Sequence, residues 1–122
     1  TVIVVVGDGA YIFGNPAACH QAAAMHDLPV LIIVYNNEAW DAVQLAATGM
    51  YPNKSAAKYK NEKGAAPLSS LKPLPDFELY AQASNAYGER VTSREELIPA
   101  LRRALAVVQQ EKRVALLNVI GV

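Results

Sequence analysis

Two short polar groups interrupt the apolar sequence near the start of this chain, and both carry oxygen donors. The run Val2–Val6 ends on Gly7-Asp8-Gly9, and the run Pro29–Tyr35 ends on Asn36-Asn37, with 26 residues between the two groups. If these runs are neighbouring parallel strands, their carboxyl ends lie about 5 Å apart. Open parallel sheets bind ligands at those ends. Asp8 and one of the two Asn residues then face the same small volume. A carboxylate, an amide oxygen and a nearby backbone carbonyl form the ligand set of a hard cation such as Mg2+, which takes few oxygens from protein and fills the rest with water and substrate phosphates. Gly7 and Gly9 permit a tight turn, and the N–H groups of Gly9 and Ala10 are open to a phosphate. The plainer reading is turn chemistry, because Asp-Gly and Asn-Asn both favour turns.

The elements that must position these groups follow from the pattern. Val2–Val6 is short, β-branched and unalternating, the signature of a strand buried on both faces. Asn15-Pro16 reads as an N-cap and first helical residue, opening an Ala-rich helix that runs to about Met25 or His26. Val30–Tyr35 is a second buried strand, so residues 2–35 form a right-handed βαβ unit. Glu38 to about Thr48 reads as helix, and 53–75 as irregular, broken by Gly64, Pro67, Pro73 and Pro75; a loop of that length suggests a lid. Asp76 caps a helix through about Ala86, with Gly88 as its stop. A short strand, Glu89–Thr92, leads into a capping box of Ser93 with Glu96. Leu97, Leu101, Leu105 and Val108 form the apolar stripe of the helix that follows. Val114–Ile120 is the last buried strand. The fold class is α/β, a mainly parallel sheet with helices on both faces.

Composition limits the partners. The 122 residues are 52% hydrophobic and 18% charged, with eleven Lys+Arg against eleven Asp+Glu. That balance argues against disorder and against an electrostatic nucleic-acid or membrane-surface binder. No apolar run approaches the ~20 residues of a membrane span. The single Cys19 forms no internal disulfide, which suits a reducing, cytoplasmic setting. The chain begins directly on a buried-type strand, so it is expected to be the C-terminal part of a longer polypeptide.

The spaced pair of motifs on a βαβ unit resembles the cofactor motif of thiamine-diphosphate-dependent enzymes. The downstream segments LPDFELYAQASNAYGERV, EELIPALRRAL and ALLNVIGV are similar to the end of the same domain in acetolactate-synthase-like and benzoylformate-decarboxylase-like members. The resemblance spans residues 1–122 as one thiamine-diphosphate/Mg2+-binding domain, truncated at its N-terminal side. It implies that Asp8, the Asn37 side-chain oxygen and the Ala39 carbonyl bind Mg2+. Gly7, Gly9 and Ala10 would support the diphosphate, and Trp40 and Val43 would lie near the thiazolium or substrate. The implied chemistry belongs mostly to the cofactor, an electron sink for decarboxylation of a 2-keto acid, with the product protonated or added to a second carbonyl compound. In such enzymes a Glu from another domain, usually of the partner subunit, activates the cofactor. No position here matches it, so no catalytic residue is assigned and the chain alone is expected to be inactive. The implied partners are the remaining domains, a small 2-keto acid and further subunits of an oligomer.

Other residues invite plainer readings. Cys19 reads as a small buried residue rather than a reactive thiol. His20 and His26 are six apart and share no helix face, so they are not a metal pair. Trp40 is either core or pocket lining. Lys54, Lys58, Lys60 and Lys63 read as a solvated loop, with a lid over an anionic substrate group as the alternative. Asn36 reads as structural. A non-catalytic binding or assembly module of the same fold is the competing function. A Rossmann nucleotide binder is disfavoured, since no Gly-x-Gly-x-x-Gly follows the first strand.

Overall fold

A computed structural model describes residues 1–121. Two compact units are distinguished: Thr1–Asn37 with the chain from Pro75 onward, and Glu38–Leu74.

The first unit is built on four parallel strands, β1 (Val2–Gly7), β2 (Val30–Asn36), β3 (Tyr87–Val91) and β4 (Ala115–Ile120), in the order β1-β2-β4-β3. Its helices are α1 (Asp8–Phe13), α2 (Pro16–Met25), α5 (Phe77–Gln82) and α6 (Arg94–Ala106), the last continuing as a π-helical segment, Val107–Glu111. Alternation along the strands assigns each face. Leu31, Val91, Ala115 and Leu117 pack under Ala100, Ala104, Val107 and Val108 of α6 and its extension. Gly88 and Asn118 point to the opposite face, where both meet Glu78 of α5. Helices therefore cover both faces of an all-parallel sheet, the expected class.

Local signals set several boundaries. Ser93 Oγ accepts from the Glu96 N–H, while Glu96 Oε2 accepts from the Thr92 N–H and hydroxyl, so the capping box forms with its return bond one residue earlier. Leu97, Leu101 and Leu105 do pack on the core, yet the residues in deepest contact are Ala100 and Ala104. Small side chains there let the helix lie close to the sheet.

Other expectations need correction. β1 is not buried on both faces: Val2, Ile3, Val4 and Val5 are 59, 53, 41 and 72% exposed. It is the edge strand, with β2 as its one neighbour and the main core centred farther along the sheet. Cys19 is exposed, its thiol donating to the Gly14 carbonyl at 3.3 Å. Asn15 precedes α2 in a left-handed conformation (φ 54°) and makes no side-chain cap bond. Asp76 likewise caps α5 without a side-chain bond and instead pairs with Arg90, Nη1 to Oδ1 2.9 Å. The helix it precedes ends at Gln82, and Gly88 is a strand residue rather than a helix stop.

The second unit contains α3 (Asp41–Met50) and α4 (Ser55–Lys63). The segment 53–75 is therefore not structureless. Ala, Lys and Glu favour helix, and Gly64 ends α4 in the left-handed conformation (φ 83°). Lys60 and Lys63 fall in its last turn, where cations suit the carbonyl end of the helix. The lysines thus decorate a solvated helix. The unit closes on itself through a bridge between Ala39 and Ser70 and through Gln44, whose Oε1 accepts the Ala66 N–H at 2.7 Å. No helix among the described residues is long and apolar enough to cross a membrane.

Candidate functional site

The register of β1 on β2 meets the condition on which the sequence argument depends. The last paired residues are Gly7 and Tyr35, so Asp8 and Asn36 each stand one step beyond the final pair at the carboxyl ends of adjacent strands. The chain turns into helix at Asp8, and Asn37 is the first residue past β2.

Asp8 is 2% exposed. Its Oδ1 accepts the Gly9 N–H at 2.8 Å, which holds the carboxylate in one orientation. The Gly9 N–H expected at a phosphate is thus engaged with the acid, while Ala10 is exposed on the same short helix. Two residues past Gly9, Tyr11 anchors this turn. Its ring meets Phe77 edge-on, centroids 4.9 Å apart, and its hydroxyl lies 2.8 Å from His20 Nε2. Burial, then the nearby Tyr80 and Cys19, push the Tyr11 phenol well above its usual range. Burial also lowers His20, so a neutral imidazole meets a protonated phenol. His20 Nδ1 is buried without a hydrogen-bond partner, and His26 caps α2 at its exposed C-terminal end.

Asn36, also 2% exposed, is tied to β4. Its Nδ2 donates to Asn118 Oδ1 at 3.0 Å, and Asn118 Nδ2 donates to Glu78 Oε2 at 2.7 Å. The structural reading of Asn36 fits this bond. Asn118 and Glu78 were not singled out by sequence reasoning, although an amide inside the apolar run ALLNVIGV is itself a signal, since buried amides need partners.

Ala39 and Trp40 belong to the second unit. Ala39 pairs with Ser70, and Trp40 donates its N–H to the Ser69 carbonyl at 2.8 Å while capping α3. Val43, on α3, is 61% exposed. Among the described residues no group of three or more His, Cys, Asp or Glu is placed to hold a metal ion. A cation here would need amide and main-chain oxygens beside a single carboxylate, and the two strand tips carry such hard donors.

The strand order, the paired tips and the two motifs define an α/β domain with an all-parallel sheet whose two motif-bearing strands are neighbours. The family model described as thiamine pyrophosphate enzyme, C-terminal TPP binding domain, matches residues 1–119, and the chain belongs to that family. Its fold is also that of the Rhodococcus jostii RHA1 thiamine diphosphate-dependent 4-hydroxybenzoylformate decarboxylase, with a TM-score of 0.73 and 24% identity over 96% of this chain. The chain spans 19% of the length of that structure.

Proposed function

We propose that Asp8 and Asn37 are protein ligands of a Mg2+ ion that carries the diphosphate of thiamine diphosphate. In this reading the domain serves a 2-keto-acid decarboxylase or an acetolactate-synthase-like carboligase. The single observation that supports it best is the β1–β2 register, which ends with Gly7 beside Tyr35 and brings the acid and the amide pair to adjacent strand tips. The donor chemistry fits: a carboxylate oriented by the Gly9 N–H and an amide oxygen are hard ligands of the kind Mg2+ selects. When bound, thiamine diphosphate supplies the electron sink for decarboxylation. The residues of this chain bind and orient its diphosphate end. The structural neighbour's substrate, 4-hydroxybenzoylformate, is a 2-keto acid, which favours that substrate class. The activating Glu comes from another domain or subunit of the assembled, oligomeric enzyme.

Calorimetric titration of the protein carrying this chain with thiamine diphosphate and Mg2+ tests the reading, with quenching of Trp40 as a second signal. Saturable binding that needs the metal and is abolished in Asp8→Ala is expected. Binding indifferent both to Asp8→Ala and to removal of Mg2+ overturns it.

A further inference from the structure

We infer that Asn118 and Glu78 position the tip of β2 for cation binding, acting through Asn36. The inference rests on the proposed role of Asn37, the residue that follows. Asn118 is wholly buried on β4, and its amide bridges Asn36 on one side and Glu78 on the other. A carboxylate only accepts, so the nitrogen of Asn118 must face Glu78 and its oxygen must face Asn36. That oxygen in turn requires the nitrogen of Asn36. The carboxylate on α5 thereby dictates, through two amides, which way the side chain of the last β2 residue is turned. Arg90 steadies the far end of this relay, its Nε 3.6 Å from Glu78 Oε1 and its Nη1 2.9 Å from Asp76.

The main chain is tied at the same point, where the Gly121 N–H donates to the Asn36 carbonyl at 2.9 Å. Side chain and backbone of Asn36 are both held one residue before Asn37 leaves the sheet. A buried polar relay is not needed for stability at such a place, because apolar residues of similar volume pack a sheet at no desolvation cost. What the relay supplies is direction. Partners behind a metal ligand act in this way, and their loss weakens metal affinity with the ligands still present. Asn118 and Glu78 are positioning residues and touch neither cation nor cofactor.

The test is the Mg2+ concentration that half-saturates the protein at fixed, excess thiamine diphosphate, read by calorimetry. Asn118→Ala is expected to raise it about tenfold. Glu78→Gln can turn either its oxygen or its nitrogen toward Asn118, so the direction is no longer imposed, and a rise smaller than that of Asn118→Ala is expected. Amide exchange at residues 34–37, measured without metal or cofactor, is expected to quicken in Asn118→Ala and to a lesser degree in Glu78→Gln. A folded Asn118→Ala protein with unchanged half-saturation overturns the inference while leaving the metal reading standing. Should Asn118→Ala fail to fold, Glu78→Ala decides: weaker Mg2+ binding supports the relay, and unchanged binding overturns it. Absence of Mg2+ binding in the unsubstituted protein overturns the metal reading and this inference with it.

Discussion

Gly88 runs so close beneath Glu78 that a Cβ built on it would stand 2.2 Å from the Glu78 carbonyl oxygen and 2.9 Å from the carbonyl carbon. The obstacle is helix backbone, which no rotamer change relieves. Gly88 is therefore the contact that lets α5 sit against β3, and α5 is the element that brings Glu78 to Asn118. Gly88→Ala is expected to cost about 3 kcal/mol by overpacking. Urea unfolding checks this as a lower midpoint at unchanged slope. An unchanged midpoint would mean that α5 moves aside freely.

The Tyr11–His20 pair makes stability depend on pH. Burial holds the folded imidazole below its ordinary value of 6.5, so as pH falls the unfolded chain takes up the proton first. The stability contributed by neutral His20 is complete above about pH 6.5 and declines below it. Comparing urea midpoints at pH 7.5 and pH 5 should show a drop that is smaller in His20→Gln. An identical drop in both proteins would place the titration elsewhere.

Tyr11→Phe keeps the ring against Phe77 and removes only the hydroxyl, leaving His20 Nε2 without its partner. A loss of about 1–2 kcal/mol is expected from an unpaired buried nitrogen. Thermal unfolding at pH 7.5, where the imidazole is neutral, measures it. No loss would show that water takes over the bond.

Gln44 organises the second unit from within α3, reaching Ala66 with its oxygen and Asp41 with its nitrogen at 3.2 Å. Gln44→Ala is expected to loosen the Glu38–Leu74 unit by about 2 kcal/mol, because the Ala66 N–H loses its acceptor. Limited proteolysis should then cut faster between residues 53 and 70, with amide protection of β2 and β4 unchanged. Equal cutting rates would remove Gln44 from that role.

β1 is an edge strand with exposed apolar side chains, and a cavity of about 350 Å³ opens beside it, bounded partly by Val4, Val6, Cys19 and Ala23. Unpaired edges of this kind associate. This chain expressed by itself is expected to self-associate with rising concentration and to turn over no pyruvate. Val5→Lys should reduce light scattering while changing stability by less than about 0.5 kcal/mol, since the site is already exposed. Scattering unaffected by the substitution would locate the association on another surface.

The parts of the fold legible in the sequence are those decided by neighbours along the chain. The Ser93–Glu96 box, Pro16 at the start of α2 and the apolar runs of β1, β2 and β4 depend on local geometry, and each lies where its residues place it. The helix at Ser55–Lys63 was masked by the surrounding Pro and Gly, although its own residues favour helix. Cys19 and β1 were misjudged for a different reason. Apolar character tells what a residue tolerates, whereas burial depends on which other elements come to cover it.

By itself the sequence determined the βαβ unit, the placement of Asp8 and Asn36 at strand ends and the family to which the chain belongs, because spacing and side-chain chemistry are properties of the chain. Only the tertiary structure decided that β1 and β2 are neighbours, that Gly88 admits α5, and that Asn118 reaches Asn36 across 82 residues of chain. Those contacts join distant segments through packing and buried hydrogen bonds, and no local pattern encodes which amide will meet which partner.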